Sequence, residues 1–276
     1  MNISKKIVER LSASIKRFQP ILTSAKTRDV NESDTVIIVT DMLSEAFGYD
    51  KYSEITSEHA IRGTFCDLAV TIDSKIQFLI EVKAIGLELK DAYVKQAVDY
   101  AANKGVDWVV LTNGINWRVY KMTFAKPIDQ ELVADVDFLK LDIKKEEDIE
   151  LLYLISKEGW QKKVLDDFHE QKQALSRFCI GAILLSEPVL DTVRRELKRV
   201  CPDVRISNEH ISTVLFQEVL KREVVEGEKF ESAKKKIVRS ASRSLRTQLP
   251  TTTKAASIVT SAPPELEPSV PTPPTA

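Results

Sequence analysis

At 276 residues, 43% hydrophobic and 29% charged, the chain has the composition of an ordinary globular protein and the length for one large domain or two small ones. A net charge of −1 excludes a generic polyanion binder, so any nucleic-acid contact must come from a local basic patch. No run approaches the ~18 apolar residues that span a bilayer, and three cysteines without CxxC spacing exclude both a disulfide framework and a structural zinc site.

The first residues lack an apolar signal core, which gives a cytoplasmic expectation with no membrane partner. Residues 1–19 read as an amphipathic helix with Ile7, Val8, Leu11, Ile15 and Phe18 on one stripe, interrupted by Pro20. Residues 31–47 read as a second helix, with Asn31 as N-cap, Glu32 and Asp34 in the first turn, and Gly48 as its stop. Strands follow at 53–58, 64–72 and 76–83, the last two strong in β-branched and aromatic residues. A helix over 90–104 ends at Gly105. Strands at 107–112 and 115–122 flank Asn113–Gly114, a hairpin signal, and 130–140 adds an edge strand. This order predicts an α/β fold with a mixed sheet flanked by helices. Trp108 and Trp117 lie in apolar strands and read as core.

Beyond about residue 145 the pattern turns helical, at 147–177, 187–200, 208–224 and 228–246. The expected organisation is a domain over 1–145, a helical region over 146–249 and a disordered Pro/Thr-rich tail over 250–276, which holds seven of the eleven prolines. Residues 228–246 contain seven Lys or Arg against two Glu, with Lys235, Arg239, Arg243 and Arg246 on one helical face. Such a face is either a phosphate clamp or simply a solvated surface, and the sequence slightly favours the second.

The chemistry concentrates in the strand pair 64–72 and 76–83. If they form a hairpin with the loop Asp73–Ser74–Lys75, residue 67 falls opposite residue 81. Asp67, Glu81 and Lys83 then share one side of the ribbon. Two carboxylates ~5 Å apart among Leu68, Val70, Phe78, Leu79, Ile80 and Val82 repel each other in a poorly solvated setting. A divalent ion between them resolves the conflict; Mg²⁺, with its oxygen ligands and retained waters, suits the site, and Mn²⁺ is the alternative. Lys83 would orient the water or stabilise charge on a phosphate. Gln96 and Tyr100, four residues apart on the following helix, share a face that could cover the site.

The pieces NESDT at 31–35, GTFCDLAV at 63–70, FLIEVKA at 78–84, QAVDYA at 96–101 and WVVLTNGINWRVYK at 108–121 resemble the N-terminal nuclease domain of the R subunit of type I restriction enzymes, across about a third of the chain. The resemblance implies a PD-(D/E)XK restriction-endonuclease-like fold and a Mg²⁺-dependent endonuclease acting on DNA in restriction or phage defence. It maps the metal ligands onto Asp67, Glu81 and Val82, the catalytic lysine onto Lys83, and the Gln-x-x-x-Tyr motif onto Gln96 and Tyr100. Glu32 fits the accessory acid of the preceding helix, a role Asp41 or Glu45 would also suit. No G-x-x-x-x-G-K-[ST] loop is present, so the chain is expected either to cut alone or to work with separate partner proteins that supply specificity or translocation. The competing expectation is a non-cleaving nucleic-acid-binding or assembly module that keeps the nuclease fold. The sequence leaves the oligomeric state open.

Overall fold

The computed structural model describes residues 1–61, 64–124 and 128–247, with the side chains of 58–61, 64–65, 96, 100 and 241–247 outside the description. The expected tail over 250–276 lies outside the described residues. The chain divides into two compact units, Met1–Ser176 and Arg177–Ala276.

The first unit is a mixed α/β structure around a six-stranded sheet: β1 (Ile55–Ile61), β2 (Thr64–Ile72), β3 (Lys75–Val82), β4 (Trp108–Thr112), β5 (Asn116–Thr123) and β6 (Asp129–Asp137), in that spatial order. Neighbours are antiparallel except β3 and β4, which run parallel and are joined through α3 (Lys95–Lys104). Gly105 closes α3 at φ 65°, a left-handed cap that glycine adopts without strain. Phe78 to Val82 are all buried, because β3 is covered on both faces. Phe78, Ile80 and Val82 meet Trp117, Val110 and the helices of one layer; Leu79 meets Leu111, Ala97 and Ala101 on the other.

Helix α1 spans Lys5–Thr27 and runs through Pro20, where the sequence suggests an end. Leu22 and Ala25 prolong the buried stripe of Leu11, Ile15 and Phe18, so packing carries the helix onward. Pro20 and Lys16 both lie on the exposed side, where solvent can serve the carbonyl left without an amide partner. Helix α2 (Glu32–Asp41) continues as a π-helical turn to Ala46. Asn31 caps it by accepting from the Asp34 amide at 2.9 Å.

The stretch 147–177 is not one helix. It breaks into α4 (Glu146–Ile155), α5 (Lys157–Gln161) and α6 (Val164–Ala174). Ser156 makes the first break: its Oγ donates to the Tyr153 carbonyl at 2.8 Å and accepts from the Gly159 amide at 3.2 Å. Lys163, at φ 57°, makes the second. Ile149, Leu152, Tyr153, Trp160 and Leu165 belong to the same core as the sheet, which is why the first unit reaches Ser176 and does not stop near residue 145.

Arg10 ties α1 to α5 by a bidentate pair with Glu158, 2.7 Å on each arm, and to the Ala46 carbonyl at 3.1 Å. Burial pushes the Glu158 carboxyl up, but the Arg10 hydrogen bond and charge outweigh it and hold it below its ordinary 4.5. A depressed acid stabilises the fold above its unfolded pKa and loses that contribution as pH falls through the folded value. Glu158→Gln is therefore expected to cost about 1 kcal/mol at neutral pH, a figure discounted for partial exposure. The gap to wild type should close below the ordinary carboxylate range. Urea midpoints across pH test this, and a pH-independent gap would refute the ion-pair account.

The second unit contains α7 (Arg177–Leu184), α8 (Glu187–Val200), α9 (Asn208–Val214), α10 (Arg222–Val225) and α11 (Glu228–Thr247). Sequence patterning gives no separate α7 and runs α9 and α10 together as one helix over 208–224. In the structure the π-helical turn Leu215–Val219 and Leu220, in extended conformation, interrupt that helix. No described helix is long and apolar enough to cross a membrane.

Candidate active site

The β2–β3 hairpin is tighter at its tip than the sequence suggests. The loop is Asp73–Ser74, both at positive φ (51° and 61°), the pattern of a type I′ turn, and Ile72 pairs with Lys75. A bulge then follows: Thr71 pairs with Ile76 but Val70 with Phe78, leaving Gln77 as the extra residue. The bulge shifts the strand back into the expected register, so Leu68 stands opposite Ile80 and residues 67 and 81 follow as the next facing positions. Ala69 and Leu79, two residues from Asp67 and Glu81, lie in the cluster on the α3 side. Glu81 therefore belongs to that face.

The β2–β3 ladder runs only as far as Leu68–Ile80, and side chains take over the backbone groups beyond it. The Asp67 carboxylate accepts from the Val82 amide at 2.7 Å, and the Cys66 thiol donates to the Ile80 carbonyl at 3.1 Å. Burial, with the Glu81 and Asp67 charges nearby, pushes that thiol up to about 12, so it serves as a neutral donor. The strands thus open where the acids sit. On its other edge β3 stays paired: Glu81 faces Leu111, Val82 faces Thr112, and the Lys83 amide donates to the Thr112 carbonyl at 2.8 Å.

Glu81 is 3% exposed, although it is an acid in the middle of a buried strand. Its Oε1 accepts from Lys83 Nζ at 2.8 Å, while its Oε2 is buried with no hydrogen-bond partner. Burial raises the Glu81 carboxyl above its ordinary value; Lys83 opposes this and the Asp67 charge adds to it. For Lys83, burial works against the ammonium, but Glu81, Glu32 and Asp67 overcome it and hold its pKa above the usual lysine value. Lys83 is therefore a charged donor at neutral pH.

Glu32, at the start of α2, reaches Lys83 Nζ at 3.4 Å. The two other acids that would suit its place are engaged elsewhere, Asp41 with Lys51 and Glu45 with Arg17, each at 2.7 Å. Gln96 and Tyr100 fall on α3, but their side chains lie outside the described residues. Among the described residues no three or more His, Cys, Asp or Glu side chains gather into a metal cluster. The donor set here is a pair of carboxylates with main-chain groups beside them. The orphaned Glu81 oxygen is the feature that fits a cation, since a buried carboxylate oxygen without a donor needs one.

Sequence reasoning misses the part played by Asn113, which it takes only as a turn residue. The hairpin forms, but its innermost pair is Thr112–Trp117, wider than a two-residue turn. Asn113 Oδ1 accepts from the Ile115 and Asn116 amides at 3.1 and 2.8 Å, and Nδ2 donates to the Leu87 carbonyl at 2.9 Å. It thereby ties the segment leaving Lys83 to the β4–β5 loop. Its burial, at 4% exposed, is the feature a sequence cannot display. Trp117, read as core, is fully buried and packs edge-on against Phe47.

Residues 38–136 match the family model described as type I restriction enzyme R protein N terminus (HSDR_N). The matched span contains Asp67, Glu81, Val82, Lys83 and Asn113 and all of the sheet up to the last residue of β6; Glu32 precedes it. No curated protein and no solved structure gives a significant match. The match relates this segment to the N terminus of the type I restriction enzyme R protein.

Proposed function

We propose that the unit matched to the type I restriction R-protein N terminus is a PD-(D/E)XK-type endonuclease that hydrolyses DNA phosphodiester bonds with Mg²⁺, Mn²⁺ being able to replace it. The observation that carries this reading is the buried, partnerless Glu81 Oε2 at the point where β2 and β3 open beside Asp67. Asp67, Glu81 and Val82 would hold the ion. When bound, Mg²⁺ supplies Lewis-acid polarisation of a phosphate oxygen and lowers the pKa of a coordinated water.

The chain's own groups do the rest. The Val82 amide fixes the Asp67 carboxylate, so one oxygen is spoken for and the group cannot rotate freely. Lys83, held by Glu81 at 2.8 Å and by Glu32 at 3.4 Å, is placed to donate to a phosphate oxygen as negative charge develops. Glu32 holds that ammonium from the solvent side, its own carboxylate being half exposed. Gln96 and Tyr100, from the helix over this face, are assigned to support of the site or to substrate contact. Sequence specificity and translocation are assigned to separate protein partners.

Incubation of the purified chain with plasmid DNA and either metal tests the reading. Nicking or linearisation that Lys83→Met removes, by at least about 10²-fold for a lost transition-state donor, is the expected result. DNA and RNA left intact in both metals, with candidate partners added, would overturn catalysis and favour a non-cleaving module.

A further inference from the structure

The second unit differs from the first in charge. Residues 177–247 carry 15 Lys or Arg against 10 Asp or Glu, a net +5, whereas residues 1–176 carry 24 against 29, a net −5. The excess is concentrated in α11. From Ser232 to Thr247 there are six bases and no acid.

Packing fixes which side of α11 faces out. Phe230, Ala233 and Ile237 join Ala182, Phe178 and Val225 in one small core, so the apolar stripe is used. Lys234, Lys235, Lys236 and Arg239 are exposed. Lys235 and Arg239, four residues apart, lie about 6 Å apart along the axis on one face, with Lys236 beside them. Arg243 and Arg246 continue the helix, their side chains outside the described residues.

A merely solvated face is usually built from mixed charges, as α8 is. There Arg194 pairs with Asp191 at 2.8 Å and Arg199 with Glu196 at 2.7 Å. Among the described residues no acid lies within ion-pair distance of Lys234, Lys235, Lys236 or Arg239 on α11. The helix dipole does not account for the run either. It favours bases only within the last turn, and residues 234–239 are mid-helix. Like charges at neighbouring helical positions weaken the helix unless a polyanion neutralises them.

We propose that the outward face of α11, through Lys235, Lys236 and Arg239, binds the phosphate backbone of nucleic acid. The choice of nucleic acid among polyanions rests on the nuclease reading above. Backbone contacts position a nucleic acid without reading its sequence, which is the contribution a cutting site without its own specificity would need.

The test uses the full chain in EDTA, a fluorescent DNA duplex, and anisotropy titrations across a range of NaCl. The Lys235→Glu, Lys236→Glu, Arg239→Glu triple variant is expected to bind at least about 10-fold more weakly and to lower the log–log salt slope by about 2–3, at ~0.9 per lost phosphate contact. Reversal of the exposed Lys5, Lys16 and Lys26 on α1 should leave that slope unchanged. Unchanged affinity and slope in the triple variant, with helicity by circular dichroism intact, would overturn the proposal. So would an equal fall in the α1 control, or binding to anionic phosphatidylserine vesicles in place of DNA. Wild-type binding that depends on α11, without cleavage in Mg²⁺ or Mn²⁺, sinks the nuclease reading and leaves the surface standing.

Discussion

Asp67→Asn is expected to lower DNA cleavage by at least about 10³-fold and to leave the fold intact, about 4 kcal/mol of lost transition-state stabilisation at a metal site. The substitution is chosen over alanine because Asp67 has two tasks. One oxygen accepts from the Val82 amide at 2.7 Å, replacing a ladder hydrogen bond that the opened strands no longer supply. Alanine would leave that amide without its acceptor, at about 1–3 kcal/mol, and any loss of activity would then be ambiguous. Asparagine keeps an acceptor oxygen and removes the charge. Two measurements separate the roles. Calorimetric titration of Mg²⁺ should give heat with wild type and none with Asp67→Asn, while the thermal midpoints of the two metal-free proteins should agree within a few degrees. Full cleavage by Asp67→Asn would remove Asp67 from the metal site. A large fall in the metal-free midpoint would show instead that the charge itself holds the strands.

The strand pair bearing this site is legible because β3 is so apolar. Both runs are rich in β-branched and aromatic residues, which marks them as adjoining strands, and a hairpin centred on Ser74 gives the pairing seen at Val70–Phe78 and Leu68–Ile80. The tip is not legible: a shorter turn at Asp73–Ser74 and the bulge at Gln77 are two departures that cancel before the acids are reached. Gln77 also has a reason to bulge that lies far away in sequence, since its side chain accepts from the Trp160 indole at 3.1 Å. Asn113 shows the same limit, its partners at Leu87 and the β5 start being known only once the sheet is assembled. Pro20 is a local signal overruled by tertiary burial. At Ser156 the signal is present, a serine three residues before a glycine amide it can cap, but the apolar spacing across it masks the break.

That same break gives the largest effect expected on stability alone. Gly159→Ala is expected to cost about 2–4 kcal/mol, in the range of overpacking in a site that cannot relax. A Cβ at Gly159 would strike the backbone carbonyl oxygen of Tyr153 and come within 3.3 Å of Ser156 Oγ. Neither can retreat cheaply. The carbonyl receives the Ser156 hydroxyl at 2.8 Å, and the same hydroxyl caps the Gly159 amide. Next door, Trp160 packs on Phe78 at a ring separation of 4.3 Å, so a displaced α5 pulls on the core beneath β3. Gly105→Ala is the control. Gly105 has φ 65° and nothing within 4 Å of an added methyl, so its substitution costs only the left-handed backbone penalty of about 1–2 kcal/mol. Urea unfolding of the two variants separates contact from conformation. A Gly159→Ala midpoint no lower than that of Gly105→Ala would mean that the α4–α5 junction yields, and that Ser156 interrupts the helix without bearing on the sheet.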